Sequence, residues 1–179
     1  MNTLHSEIAV SSPALKRLFE TSEVPLALTS AASADAPLLM VNDAFLKLTG
    51  YERDEVIGRN CRFLQGPDTE PDARLRLKMA VNRHTESLVR IRNYRKDGTP
   101  FDNYVFLRPI YTEDGEMMYI LGSQYGFELS ERATDPLQHA EFLEEQIELS
   151  QKELVAEGLS MPQNRSCSSA VLRALIEDA

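Results

Sequence analysis

Three uncharged amides fall on strand-like segments of this chain, each spaced to share a face with apolar neighbours. In Ser87–Arg95 the two-residue alternation of a strand gives Asn93 the face of Val89 and Ile91. In Phe101–Ile110 Asn103 shares a face with Phe101, Val105 and Leu107, and in Met117–Phe127 Gln124 shares one with Ile120 and Gly122. Each amide offers a donor and an acceptor, and burying it without partners costs about 1–3 kcal/mol. A planar neutral heterocycle with alternating N–H and C=O groups would satisfy all three, its faces covered by the Val, Ile and Leu side chains. Mutual hydrogen bonds or buried water would also satisfy them, and the pattern alone leaves both readings open. Asn93 and Asn103 each stand five residues from Gly98, which makes them cross-strand neighbours if that turn has three residues. A register centred near Glu113 and Asp114 sets Asn103 opposite Gln124 and Leu107 opposite Ile120.

Positive charge and a thiol supply the other chemistry. Arg74 and Lys78 lie four residues apart in a helical pattern, so they share a face and repel unless an anion sits with them. Arg62 precedes them in a polar loop, and a phosphate would explain the set, as would plain solvation of surface charges. Cys61 lies in Gly58-Arg59-Asn60-Cys61-Arg62-Phe63-Leu64-Gln65-Gly66. Beside Phe63 and Leu64 it reads as a small buried hydrophobe, and beside Arg59 and Arg62 as a thiol with a lowered pKa. Cys167 is the only other cysteine, and the two form neither C-x-x-C nor a zinc spacing. His5, His84 and His139 stand apart from any Ser/His/Asp or Cys/His arrangement. Metal, haem and hydrolytic chemistry therefore find little support, and no phosphate-loop or dinucleotide glycine motif is present.

These residues need elements to hold them. Ser12-Pro13 reads as an N-cap and first helical position, with Ala14, Leu15, Leu18 and Phe19 on one face of a helix near 13–20. Val24–Thr29 and Leu38–Val41 read as strands around a small-residue loop. Asn42 caps a helix ending at Gly50, and a second short helix stops at Gly58. A longer helix spans about 72–82, with Ala73, Leu77, Ala80 and Val81 on one face. Asp-Gly turns then join the three amide-bearing segments into an antiparallel meander. The pattern predicts an α+β fold, a five-stranded antiparallel sheet with helices on one face, in a core at 22–128. An N-terminal segment, 1–21, begins as a flexible start. A C-terminal extension, 129–179, carries a helix from Pro136 to about Glu157, a linker from Gly158 to Ser169 and a last helical turn at Val171–Ile176. Residues 131–157 carry a net charge of −6, and Ala140, Leu143, Ile147 and Leu154 have heptad-like spacing.

The 179-residue chain carries 42% hydrophobic and 26% charged residues, ordinary values for a globular domain with extensions. Nineteen basic against 28 acidic residues give a net charge of −9, which disfavours direct nucleic-acid binding. With no long apolar run and no basic-then-apolar leader, the expected location is the cytoplasm, away from any membrane.

The nonapeptide GRNCRFLQG, Gly58–Gly66, resembles the signature of LOV domains, the flavin-binding blue-light sensors of the PAS superfamily. The resemblance continues through Gly66-Pro67-Asp68-Thr69 and the Lys96-Asp97-Gly98 hairpin to Gln124, covering about 105 residues. It implies one noncovalent FMN. Asn93 and Asn103 match contacts to the pyrimidine edge of the flavin, and Gln124 matches the glutamine near N5 and O4. Gln65 matches a second ring contact, Asn60 flanks the cysteine and Thr29 faces the ring. Arg62 matches a phosphate-binding arginine, and Lys78 stands where the family usually has a second arginine, so the charge is kept without the planar fork. The short loop after Gly66 holds no insertion for an adenine, which favours FMN over FAD. The resemblance further implies that Cys61 bonds reversibly to flavin C4a under blue light and that Gln124 relays the change.

The expected role is that of a receptor rather than an enzyme, signalling through its terminal helices by light-dependent homodimerisation or a separate effector. The alternatives are terminal helices that merely cover the sheet, a light-independent flavin redox sensor, a cofactor-free interaction module and, least supported, a flavoenzyme.

Overall fold

The structure, a computed structural model, describes residues 11–83, 85–127 and 136–161, with the backbone alone for 136–144 and 146. The expected flexible start before Ser11, the turn at Val171–Ile176, His5, His84 and Cys167 lie outside the described residues, as do the side chains of His139, Ala140 and Leu143.

Helix α1 (Pro13–Thr21) starts at Ser12, whose Oγ accepts from the Leu15 amide at 3.1 Å. Strands β1 (Leu26–Ser30) and β2 (Leu38–Val41) pair antiparallel. Asn42 then ties three elements together. Its Oδ1 accepts from Phe45 N at 3.0 Å, which caps α2 (Asp43–Thr49), and from Leu26 N at 2.9 Å in β1. Its Nδ2 donates to the carbonyls of Ser22 and Val24, which fixes the link from α1 to β1. Helix α2 ends at Gly50, where φ of 73° suits glycine. Helix α3 (Arg53–Val56), a 3-10 turn (Cys61–Leu64) and α4 (Pro71–Arg83) follow. Strands β3 (Ser87–Tyr94), β4 (Pro100–Thr112) and β5 (Met117–Phe127) form the antiparallel meander, and α5 (Pro136–Ala156) leads to β6 (Leu159–Ser160).

The sheet order is β2-β1-β5-β4-β3, with β6 also on β4. Strand β3 accompanies β4 as far as Leu107, and β6 takes the same edge at Tyr111 and Thr112. The α+β architecture is as expected, but a sixth short strand joins the five. The expected linker after Gly158 is therefore partly strand, because Leu159 and Met161 find apolar cover.

Each sheet face has its own apolar cover. On one face Ala27, Phe45, Val56 and Leu64 form a cluster, and Ala73, Val89 and Ile91 form another under α4. On the other face Leu26, Leu28, Phe106, Tyr119 and Leu121 pack against Leu15 and Leu18 of α1 and Ile147 and Leu154 of α5. The core helices thus occupy one face as expected, and the extension helices fill the opposite face. Glu157 at the end of α5 accepts from Ser12 Oγ and, at 2.9 Å, from Ala14 N, while Arg17 pairs with Glu153 at 2.5 Å. One carboxylate therefore satisfies donors at the start of α1. Among the described residues, no helix is long and apolar enough to cross a membrane.

Both hairpin registers differ from the expectation by two residues. Asn93 pairs with Phe101 and Asn103 with Ile91, so the ladder centres on Asp97 rather than Gly98. Asn103 pairs with Gly126 and Gln124 with Val105, and Leu107 with Gly122. In the first hairpin Gly98 closes the turn with φ of 87° and donates its N–H to the Arg95 carbonyl, so the turn's midpoint precedes the glycine. In the second, a register shift between Ile110 and Tyr111 moves the midpoint past Asp114. A two-residue slip preserves the faces.

Candidate functional site

The face beneath α4 encloses a cavity of about 460 Å³. Its lining includes Thr29, Asn60, Cys61, Arg62, Gln65, Lys78, Asn93, Asn103 and Gln124, every residue that the resemblance matched to a flavin site. Six elements supply them: β1, the 3-10 turn with its flanks, α4, and the strands β3, β4 and β5. Between the polar groups lie Leu64, Leu77, Val81, Ile91, Val105, Leu107 and Ile120.

The amides form the buried wall. Asn93, Asn103 and Gln124 are each no more than 4% exposed. Although Asn93 and Asn103 are diagonal rather than direct partners, Asn103 Nδ2 donates to Asn93 Oδ1 at 2.9 Å. Asn93 Nδ2 donates to the Arg92 carbonyl at 3.2 Å. Asn103 Oδ1 and Gln124 Oε1 are buried with no hydrogen-bond partner. Mutual pairing thus satisfies only part of the set, and two carbonyl oxygens are left for N–H donors of a ligand. At Gly122, with no Cβ, the sheet surface in the cavity stays flat.

Cys61 opens the 3-10 turn and is half-buried in the lining. Asn60 sets this turn: its Oδ1 accepts from Arg62 N at 2.9 Å, and its Nδ2 donates to the Asp35 carbonyl. Burial pushes the Cys61 thiol up to about 12. This agrees with the reading of Cys61 as a small buried hydrophobe and not with a thiol lowered by Arg59 and Arg62. The Arg59 guanidinium lies 4.6 Å over the Phe63 ring, and Arg62 pairs with Asp35 at 2.5 Å. The thiol is accordingly protonated at neutral pH.

The loop after the turn is pinned to β3. Thr69 Oγ1 accepts from Gly66 N at 2.9 Å and donates to the Arg92 carbonyl at 2.6 Å. Tyr94 Oη accepts from Asp68 N at 3.0 Å and donates to Asp68 Oδ2 at 2.8 Å. A Cβ at Gly66 would sit 2.4 Å from the Tyr94 ring, so this position admits only glycine. Gln65 is thereby held at the cavity wall.

Arg62, Arg74 and Lys78 line the same cavity, so the charges seen in the sequence converge. Arg74, which the sequence groups with Lys78 and Arg62 as a set that a phosphate would explain but which the resemblance does not match to a flavin contact, lines the cavity as well. Asn82, four residues beyond Lys78, also lines the cavity and follows from the same helical spacing. Ala34 and Ala36 in the β1–β2 loop line it too, and small loop residues give no sequence signal. Among the described residues, no cluster of His, Cys, Asp or Glu is able to hold a metal ion.

The PAS domain family matches residues 27–125. Blue-light-activated histidine kinase 1 of Erythrobacter litoralis is 52% identical over 91 residues, which make up 51% of this chain and 25% of the kinase. The chain spans well under half the length of the curated relatives it first matches. The solved LOV domain of the Erythrobacter litoralis EL346 blue-light activated histidine kinase is 40% identical, covers 59% of this chain and 96% of its own, and superposes with a TM-score of 0.56. The Rhodobacter sphaeroides LOV protein is 28% identical, covers 93% of this chain and 97% of its own, and gives a TM-score of 0.70.

Proposed function

This chain belongs to the PAS domain family and, within it, to the LOV domains, and on that premise we propose that it is a blue-light photoreceptor that holds FMN and signals through its terminal helices. The observation that carries the reading is the shared cavity, where buried amides with two unpartnered carbonyl oxygens meet a protonated thiol and three cations. That donor and acceptor set fits a flavin edge, and the cations fit a phosphate.

In this reading Asn93 and Asn103 hold the pyrimidine edge, Gln124 lies by N5 and O4, and Gln65 and Thr29 complete the ring contacts. Arg62 and Lys78 hold the phosphate. Bound FMN supplies absorption of blue light and, when excited, an electrophilic carbon at C4a. With FMN bound, Cys61 would supply the sulfur for a bond to that carbon and its proton to N5, and in the dark that C–S bond would break and the proton would go back to the Cys61 sulfur. A thiol near 12 brings its own proton, and its low thiolate content argues against the redox-sensing alternative. Gln124 then faces a donor where it had faced an acceptor, and its amide reorients. The adjacent residue Ser123 is buried with the outer side of β5, so movement of the strand reaches the face covered by α1 and α5.

Output runs through light-dependent homodimerisation or a separate effector in the cytoplasm. Leu149 and Val155 support a partner surface on α5, being 69% and 52% exposed. The test is spectroscopic. The flavin-loaded chain loses blue absorption reversibly under illumination, and Cys61→Ala abolishes that loss. Retention of the photocycle in Cys61→Ala refutes the assignment.

A further inference from the structure

The β1–β2 loop brings a carboxylate to the cationic end of the cavity. Asp35 Oδ1 lies 2.5 Å from Arg62 Nη1, and both side chains are about 60% exposed. The backbone that carries this carboxylate is held at three points. Ser30 N donates to the Pro37 carbonyl at 3.1 Å, Ala36 N donates to the Ser33 carbonyl at 2.9 Å, and Asn60 Nδ2 donates to the Asp35 carbonyl. Ala36 is buried and takes φ of 43°, a left-handed conformation uncommon for residues other than glycine, so the turn that presents Asp35 is closely defined.

We propose that Asp35 is a specificity-determining residue: its carboxylate occupies Arg62, a flavin phosphate engages Arg62 only in competition with it, and Asp35 thereby lowers the preference of the site for FMN over riboflavin. This rests on the flavin reading above. An exposed ion pair is weak and yields to a phosphate. The carboxylate stays nearby because its loop is fixed, and it repels a group carrying about −1.5 to −2 charges. Riboflavin, identical in its ring and ribityl chain but without the phosphate, escapes that repulsion.

The full chain, freed of flavin, is titrated with FMN and with riboflavin, following flavin fluorescence, as wild type and as Asp35→Asn. Asparagine keeps the shape of the side chain and the backbone carbonyl that Asn60 bonds. FMN binds about three- to tenfold more tightly to Asp35→Asn at low salt, and the gain shrinks at high salt. Riboflavin binding changes by less than about twofold, because it carries no charge for the carboxylate to repel. Weaker or unchanged FMN binding, or an equal shift for both flavins, overturns the inference while leaving the flavin reading intact. A wild-type chain that binds neither flavin overturns the flavin reading and this inference with it.

Discussion

Gln124→Leu separates stability from ligand binding at one residue. Gln124 is 4% exposed, and its Oε1 has no hydrogen-bond partner. A buried orphan of this kind costs about 1–3 kcal/mol, and an apolar side chain of similar size removes the cost. The flavin-free variant is therefore more stable than wild type by at most about 1–3 kcal/mol, the full amount where the cavity is dry and less where water bonds Oε1, at roughly 2–4 °C in Tm for each kcal/mol in a chain of this length. The backbone hydrogen bond from Gln124 N to the Pro25 carbonyl at 3.0 Å is kept, so β5 remains tied to the start of β1. Binding moves the other way. Loss of a net hydrogen bond worth about 0.5–1.5 kcal/mol weakens FMN roughly two- to twelvefold. Thermal melts of the flavin-free and flavin-saturated forms, with a fluorescence titration, measure both quantities. A flavin-free variant less stable than wild type that binds FMN with unchanged affinity refutes the account of Gln124 as an unsatisfied amide awaiting a ligand.

Two further outcomes follow from the ionisation of buried groups. With the Cys61 thiol at about 12, alkylation of Cys61 in the flavin-free chain rises about tenfold per pH unit from pH 7 to 10; site-resolved mass spectrometry separates it from Cys167, and a plateau below pH 9 contradicts the burial argument. Burial pushes the Asp102 carboxyl up, but hydrogen bonds from Arg92 at 2.6 Å and Arg90 at 2.8 Å more than reverse this, and its pKa falls below the ordinary value. The unfolded chain then binds the extra proton, so the contribution is full above the ordinary carboxyl pKa of about 4 and is lost as pH falls through the lower folded value. Asp102→Asn is less stable than wild type at pH 7 by on the order of 1–2 kcal/mol, since Arg90 is partly solvated. That gap narrows as pH falls below about 4, and urea melts showing the same gap throughout the acid range contradict the linkage.

The sequence showed which residues meet at the cavity but not how their strands align. Asn93, Asn103 and Gln124 reach one face because alternation is a property of single strands, unaffected by the pairing. Their partners depended on where each turn pivots. Gly98 marked a turn correctly, yet its left-handed backbone places it after the pivot. Helical spacing revealed Arg74 and Lys78 as a charged pair, and only the fold shows that they line the same cavity as Arg62. Of the two readings of Cys61, the small buried hydrophobe agrees with the burial that raises its thiol, and the lowered pKa does not, because Arg59 and Arg62, neighbours in sequence, turn to Phe63 and Asp35 in space. Asp35 itself stands in a run of small residues without periodicity. The apolar stripe of α1 announced a partner surface, with its own sheet among the choices, and the fold shows that it takes the back of that sheet.

The divided border of β4 has its own consequence. Strand β3 stops at the level of Leu107, and the remaining border near Tyr111 and Thr112 is closed by two residues from beyond α5. Glu113 N extends the seal by donating to the Gly158 carbonyl at 3.0 Å. Main-chain amides and carbonyls on an open border invite a foreign strand. The C-terminal arm thus acts as a hem on the sheet, and any event that unpicks it bares a short template for another polypeptide to stitch onto.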